Sequence, residues 1–204
     1  MSYLYNAKGR LSLKVSCSAL MGALAVILTL SGIEIPFPPL PYLKFDLAEI
    51  PSILTLGIFD LWSALAVATI HFIALSIFRG WILGPFMKYI AVVSTILGLY
   101  IGFRIVKRGA LRSFIIGLFL AFFIRCLSMS IANYIVLKFI SPSFFDYGVQ
   151  CLSHFLRINL TKGVGAMGLI ILFTSIFNIL HTILSALPLY IINKELHKRK
   201  IRSK

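Results

Sequence analysis

Long apolar runs, separated by short polar stretches, are the feature that most constrains how this chain can fold. Several of them exceed about 18 residues, the length that a helix needs to cross the hydrocarbon core of a bilayer. Of the 204 residues, 59% are hydrophobic and only 13% are charged, about half the charged share of a soluble domain. We therefore interpret residues 1–204 as a single membrane domain.

The apolar runs and the turn residues between them predict six helices. Their approximate bounds are 12–32, 47–58, 61–78, 85–107, 111–139 and 166–195. Helix 2 is too short to cross alone, and Pro51 suits its first turn, where no backbone donor is needed. The predicted fold class is an all-α integral membrane protein, a six-helix transmembrane bundle with a short helix 2.

The net charge of +14 is unevenly placed along the chain. If the chain crosses six times, 13 of the 20 basic residues fall on the side that holds both termini, and six fall on the other side. The positive-inside rule then predicts that both termini are cytoplasmic and that the first loop is external. This placement of charge favours a lipid bilayer rather than a nucleic acid as the partner of the basic residues.

The first loop is rich in proline and charge. The stretch 36–51 reads PFPPLPYLKFDLAEIP, with four prolines in its first six residues, followed by Lys44, Asp46 and Glu49. Such a backbone cannot span lipid, because its carbonyls would lack partners there. A rigid, charged loop over an apolar bundle predicts a lid on a small-molecule site.

Polar side chains within the predicted helices are candidates for that site. Asn133 lies on helix 5, and Asn178 and His181 share one face of helix 6 because they are three residues apart. Amides and imidazoles both donate and accept hydrogen bonds, which suits a neutral, hydroxyl-rich ligand; interhelical bonds that only stabilise packing are the alternative. Arg125 is expected to face the interior and to pair with a carbonyl or with Asp60.

Aromatic residues near the first loop predict a slot for a flat ring, namely Phe37, Tyr42, Phe45 and Tyr89. The chain has no H-E-x-x-H, P-loop or G-x-S-x-G motif, and no set of residues with metal-ligand spacing. We expect a protein that is not an enzyme and has neither a metal nor a cofactor. With no ATP-binding motif, any energy source must come from another chain.

Helix 1 carries small residues at helical spacing. Ala19 and Ala23 are four residues apart, and Ser18, Gly22 and Ala25 lie beside them. Small residues let two helices approach closely in a membrane. The pattern predicts either packing within the bundle or docking of a partner membrane subunit.

At these motifs the chain resembles the substrate-binding (S) components of energy-coupling factor (ECF) vitamin transporters, most closely their riboflavin-specific branch. The strongest element is LKFDLAEIP at 43–51, which resembles the branch's signature after a proline-rich loop. The pair Ala19 and Ala23 matches the helix 1 docking motif, SIANY at 130–134 resembles the helix 5 motif, and FNILH at 177–181 resembles the helix 6 motif. The chain departs from the family at His181, where a lysine is usual, and at 84–89, GPFMKY, which lacks the usual acid and asparagine.

The resemblance implies a plasma-membrane riboflavin-binding subunit that takes the vitamin from outside. Its partners would be a membrane coupling subunit and two ATPase subunits, which together drive release inward. The implied partner-docking residues are Ala19 and Ala23. The implied ligand-binding residues are Leu40, Lys44, Phe45, Asp46, Lys88, Asn133, Asn178 and His181. Three alternatives remain: an S component for another vitamin or flavin, an integral membrane lipid-modifying enzyme, and a self-sufficient oligomeric channel or carrier.

Overall fold

The structure, a computed structural model, describes residues 11–106 and 110–202. Seven α-helices and one two-stranded sheet occur in these ranges. In chain order they are α1 (Leu11–Leu30), β1 (Ile35–Phe37), β2 (Leu40–Phe45), α2 (Ile50–Ile58), α3 (Leu61–Arg79), α4 (Leu83–Ile105), α5 (Ala110–Ile135), α6 (Pro142–Leu156) and α7 (Val164–Arg202). A single π-helical turn, Val136–Ile140, extends α5 at its C-terminal end.

Five of these helices are long and apolar enough to cross a membrane: α1, α3, α4, α5 with its π-helical turn, and α7. The prediction of a multi-pass helical membrane protein is confirmed. Each of the six predicted helices has a counterpart, within a few residues at most ends. Helix α2 has nine residues, about 13 Å of rise, so it does not cross a bilayer by itself.

The first loop is a β-hairpin, which the prediction of an all-α fold missed. Strand β1 pairs antiparallel with β2, with Ile35 opposite Phe45 and Pro36 opposite Lys44, and the register shifts between Pro36 and Phe37. In a two-stranded sheet both strands are edges, so a proline can face away from the partner strand without losing a ladder bond. The prolines made the strands hard to predict from the sequence, but they do not prevent the strands from forming.

Helix α6 was also not predicted. The predicted helix 5 ends at residue 139, close to the observed end at Ile140, but Pro142 is the first residue of a new 15-residue helix, a position that proline favours. The helix ends at Arg157, which adopts a left-handed conformation with φ 55°. No glycine marks that end in the sequence, so the usual stop signal is missing.

Close helix contacts bring α4 against α5. A Cβ atom placed on Gly102 would lie 2.1 Å from the Cα atom of Gly117, so position 102 has no room for a side chain, and a Cβ atom on Gly117 would lie a tight 3.1 Å from the Leu99 carbonyl oxygen. Small residues at facing positions let two membrane helices pack backbone to backbone. This contact fixes α5, the helix that carries Arg125 and Asn133, relative to α4.

Two apolar clusters lie on either side of a polar layer. The first joins α2, α3, α4, α5 and α7, around Ile53, Ile96 and Leu189. The second joins the hairpin to the end of α5, α6 and the start of α7, around Leu40 and Ile170. The polar layer between them contains four of the eight predicted ligand-binding residues: Asp46, Lys88, Asn178 and His181.

Candidate functional site

The inward face of α7 is polar over three turns. Its fully or almost fully buried side chains are Thr174, Asn178, His181, Thr182 and Ser185. They recur three or four residues apart and therefore project from one side of the helix. Burial of so many polar groups in a membrane protein requires partners from neighbouring helices.

Arg125 supplies the main partner from α5. Its guanidinium, 1% exposed, binds both carboxylate oxygens of Glu49, with Nη1 2.7 Å from Oε2 and Nη2 2.9 Å from Oε1. Its Nε donates to the side-chain amide oxygen Oδ1 of Asn178 at 2.9 Å. Nη1 also donates to the Thr95 hydroxyl at 3.0 Å, and Nη2 lies 3.4 Å from Nδ1 of His181. We call these five residues the Arg125 network.

All five N–H groups of the guanidinium therefore have a partner. The Arg125 guanidinium directs one N–H donor at each Glu49 oxygen, which favours the charged form of the carboxylate. Glu49 is thus ionised at neutral pH, and its charge balances that of Arg125. A bidentate arginine–carboxylate pair is the geometry that best offsets the desolvation of two buried charges.

The surroundings of His181 define its tautomer. Its Nε2 lies 3.1 Å from the backbone carbonyl of Asp46, and a carbonyl can only accept, so Nε2 carries the hydrogen. Its Nδ1 faces the Arg125 guanidinium and accepts from it. Nδ1 also lies 3.5 Å from a Glu49 oxygen. A hydrogen on Nδ1 would point at the N–H group of Arg125, however, so Nδ1 carries none. His181 is therefore a neutral imidazole that joins β2 to the network.

Aromatic side chains of the hairpin cover this network. The Phe45 ring centroid lies 4.7 Å from that of Phe177 and 5.7 Å from that of His181. Phe37 packs against both phenylalanines, at 5.9 Å from Phe45 and 5.7 Å from Phe177. The hairpin thus places an aromatic layer directly on the polar face of α7.

Asp46 and Lys88 connect the end of the hairpin to α4. The Lys88 ammonium forms a short ion pair with Asp46, whose other carboxylate oxygen accepts from the backbone N–H of Ala48 at 2.9 Å. Both side chains are largely buried. They extend the polar layer from α7 and α5 towards α4.

Three predicted site residues lie outside both the polar layer and the aromatic side chains that cover it. Lys44 is half exposed and pairs with Glu34 at 2.7 Å, on the rim of the hairpin. Leu40 is fully buried in the second apolar cluster. Asn133 is buried on α5, eight residues or about 12 Å of helix beyond Arg125, and its amide nitrogen donates to the Met129 carbonyl at 2.7 Å.

Of the four aromatic residues predicted to form a slot, the structure brings two together, and the slot itself stays a prediction. Phe37 and Phe45 lie together over α7, but Tyr42 packs against Phe144 of α6. Tyr89 contacts Phe72 of α3, with ring centroids 5.2 Å apart, and belongs to the first apolar cluster. The slot prediction missed Phe177, which α7 contributes.

Two cavities lie elsewhere, along α6. One of about 730 Å³ is bordered by His154, Arg157 and Lys162, among others. The second, of about 300 Å³, lies between the hairpin prolines and α6. Neither is lined by a predicted ligand-binding residue, so these two cavities and the buried polar layer are different places. The buried layer is the better candidate site, because convergent polar groups give orientation and specificity.

Of the two kinds of partner expected for Arg125, the structure shows a carbonyl oxygen, that of the Asn178 side chain, and not Asp60. The sequence analysis did not include Arg125 or Glu49 among the site residues. Asp60, one expected partner, caps α3 by accepting from the Ser63 backbone and pairs with Lys14 of α1 at 2.5 Å. The signal for the correct pairing was available: Glu49 follows the proline-rich stretch and Arg125 lies in an apolar helix. Two isolated opposite charges in apolar surroundings are expected to meet.

Helix α1 separates its small residues onto two faces. Ser18, Gly22, Ala25 and Thr29 are buried in the bundle, and a Cβ on Gly22 would lie 2.8 Å from Ile70 of α3. Ala19 and Ala23 are both exposed on the outer surface. Packing within the bundle therefore uses the neighbouring residues and leaves the Ala19–Ala23 face open.

Comparisons with known proteins support the resemblance inferred from the motifs. No family model matches the chain. The riboflavin transporter RibU of Staphylococcus aureus (strain TCH60) is 29% identical over 154 residues, which cover 72% of this chain and 80% of RibU. The solved structure of the S component of a bacterial ECF transporter superposes with a TM-score of 0.71 and 25% identity, over 92% of this chain and 96% of that one.

Proposed function

We infer that this chain, which belongs to the S components of ECF transporters, is the riboflavin-binding subunit of an ECF importer and not an enzyme. Riboflavin is the ligand in the name of its Staphylococcus relative. The observation that carries the proposal is the layer beneath the hairpin, where the Phe45 ring packs on Phe177 and His181 above the buried amide of Asn178. The site joins an aromatic surface to a set of hydrogen-bonding groups.

This combination suits the two halves of riboflavin. Its isoalloxazine ring is flat and largely apolar, and it would bind between aromatic side chains. Its ribityl chain carries hydroxyl groups, which need buried donors and acceptors. We propose that Leu40, Phe45 and Phe177 contact the ring, and that Asp46, Lys88, Asn133, Asn178 and His181 supply polar contacts, with Lys44 at the outer edge of the site.

The packed state of the site suggests how the ligand enters it. Phe37 and Phe45 now fill the space over α7, so riboflavin binding requires the hairpin to move outward. The hairpin has few residues and its prolines restrict its backbone, so closing it again over the ligand orders little additional chain. We propose that the hairpin is the lid of the site and faces the outside of the plasma membrane, with both termini in the cytoplasm. The hairpin and α2 together would then complete a sixth crossing, in keeping with the ion pair between Asp60, just after α2, and Lys14, near the start of α1.

Titration of riboflavin with the detergent-purified chain tests this proposal. Binding in an aromatic slot is expected to quench the flavin's own fluorescence and to saturate at about one ligand per chain. Absence of quenching by folded, ligand-free protein would rule out riboflavin. Binding of a different vitamin in a competition series would then keep the S-component assignment and change only the substrate.

We further propose that the Ala19–Ala23 face docks a membrane coupling subunit, which associates with two ATPase subunits. The exposure of both alanines, on a helix that packs through other residues, supports this role. Ala19→Leu and Ala23→Leu add bulk where close helix approach is needed. Each is expected to leave riboflavin affinity within about twofold of the wild type and to abolish association with the coupling module.

Uptake into vesicles containing the complete module, together with co-purification, measures that effect. The exposed Leu20→Ala variant, next to Ala19 on α1, is a control that removes bulk instead of adding it. Normal uptake by either alanine variant would contradict the docking role. Uptake by this chain alone, without ATPase subunits, would contradict the ECF mechanism and favour a self-sufficient carrier.

A further inference from the structure

One buried hydroxyl on the inward face of α7 lacks a hydrogen-bond partner. The Thr174 side chain is 2% exposed, and its Oγ1 has no partner within the part of the chain that the structure describes. An unpaired buried hydroxyl is unfavourable by about 1–3 kcal/mol. Such a group in a binding protein points to a partner that arrives from outside the chain.

Three other buried hydroxyls, those of Tyr42, Ser52 and Ser113, also lack a partner within the described residues, but the other helical threonines all have one. Each donates its hydroxyl to the backbone carbonyl four residues earlier, the usual way to satisfy threonine in an apolar helix. These residues are Thr29, Thr55, Thr69, Thr95 and Thr182. Thr174 has the same helical option, towards Ile170, and does not use it.

The position of Thr174 lies within the proposed site. It is one helical turn from Asn178, whose amide nitrogen donates to the Thr174 backbone carbonyl at 2.9 Å, so the two side chains share one face. The next turn in the other direction is Ile170 of the second apolar cluster. Thr174 therefore stands where the polar face of α7 meets the apolar cluster beneath the hairpin.

We propose that Thr174 is a further ligand-binding residue whose hydroxyl bonds to a polar group of the vitamin. The hydroxyl both donates and accepts, so it can pair with a ligand hydroxyl or carbonyl. This assignment rests on the proposed riboflavin-binding function and adds a contact to it. It also explains why the ligand-free protein keeps an unsatisfied hydroxyl at this level of α7.

The test compares three variants with the wild type. Thr174→Val removes the hydroxyl with almost no change of shape, Thr174→Ser keeps a hydroxyl, and Thr182→Val removes a hydroxyl that its own helix already satisfies. Riboflavin affinity is measured by fluorescence titration, and the thermal midpoint of each ligand-free protein is measured in the same detergent. Thr174→Val is expected to weaken binding about fivefold to tenfold, with Thr174→Ser and Thr182→Val close to the wild type.

The ligand-free stability separates a binding role from a structural one. Because the Thr174 hydroxyl makes no bond within the protein, Thr174→Val is expected to leave the ligand-free midpoint unchanged or slightly raised. Wild-type affinity in Thr174→Val would overturn the assignment, and so would a loss of affinity accompanied by a lower ligand-free midpoint. A wild-type chain that does not bind riboflavin would overturn the proposed function itself, and this result is distinguishable because all four proteins would then fail alike.

Discussion

Two glutamates of this protein form ion pairs with basic side chains, one buried inside the bundle and the other at the rim of the hairpin. Glu49 is 1% exposed and binds Arg125 with both oxygens in the middle of the bundle. Glu34 lies on the rim of the hairpin and bridges Lys44 and Arg79, at 2.7 and 3.3 Å, whose side chains are half exposed. The two sites have similar contacts and very different energetics.

The difference lies in what happens when one partner is removed. On the rim, water and salt replace a lost partner, so an exposed ion pair contributes about 0–1 kcal/mol. In the Arg125 network no water is available to solvate a charge left alone. The buried pair is therefore expected to determine how α2, α5 and α7 assemble, whereas the rim pairs adjust the hairpin only slightly.

Glu49→Gln gives the largest expected effect. It keeps the shape of the side chain but leaves the Arg125 charge uncompensated, which is expected to lower the free energy of unfolding by about 3–5 kcal/mol. Denaturation of the purified protein with a strong detergent, followed by circular dichroism, measures the change. An unfolding curve equal to that of the wild type would contradict the importance of the pair.

A paired replacement serves as its control. Glu49→Met combined with Arg125→Met removes both charges, and apolar replacement of a whole buried pair is often close to neutral for stability. We expect the double variant to recover most of the stability and to lose riboflavin binding, because Asn178 and His181 lose the guanidinium that orients them. If the double variant bound riboflavin as tightly as the wild type, the Arg125 network would have a structural role only.

Asn133→Ala is expected to have an intermediate effect, confined to the ligand. Within the described residues the Asn133 side chain bonds only to its own helix, at the Met129 carbonyl, so its loss removes no interhelical bond. Riboflavin binding is expected to weaken by about 1–3 kcal/mol, because a buried ligand group loses its partner. Unchanged affinity in the fluorescence titration would exclude Asn133 from the site.

Glu34→Gln is the matched variant on the rim and has the smallest expected effect. It removes the shared partner of Lys44 and Arg79 while keeping the side-chain shape. We expect the free energy of unfolding to change by about 1 kcal/mol or less and riboflavin affinity to stay close to the wild type. A loss as large as that of Glu49→Gln would erase the contrast between the two glutamates.

Much of the fold could be predicted from the sequence, because membrane helices are long and their apolar runs have a fixed minimum length. The hairpin and α6 were missed for a different reason. Prolines hide strands that are stabilised only by edge pairing, and α6 begins with Pro142, a residue that also ends the preceding helix. Elements that depend on packing against α7 leave little signal in local composition.

The sequence allowed us to predict which residues form the candidate site better than which of them contact each other. Asn178, His181, Phe45 and Asp46 were chosen from motifs, and the structure brings them into one layer; their roles in binding stay predictions. The isolated charges of Arg125 and Glu49 indicated that each needs a partner, but the choice between Glu49 and Asp60 for Arg125 depends on the tertiary arrangement, since the paired residues are 76 positions apart. Motif spacing within one helix carries no such information.

The most direct test of the account is a structure of this chain with riboflavin bound. We expect the hairpin displaced from its present contacts and the flavin ring between β2 and α7, with its polar groups near Asn133, Thr174 and Asn178. Flavin bound instead in the 730 Å³ cavity beside His154 and Arg157, with the Phe45–Phe177 contact intact, would contradict the central claim that the buried layer beneath the hairpin is the vitamin site.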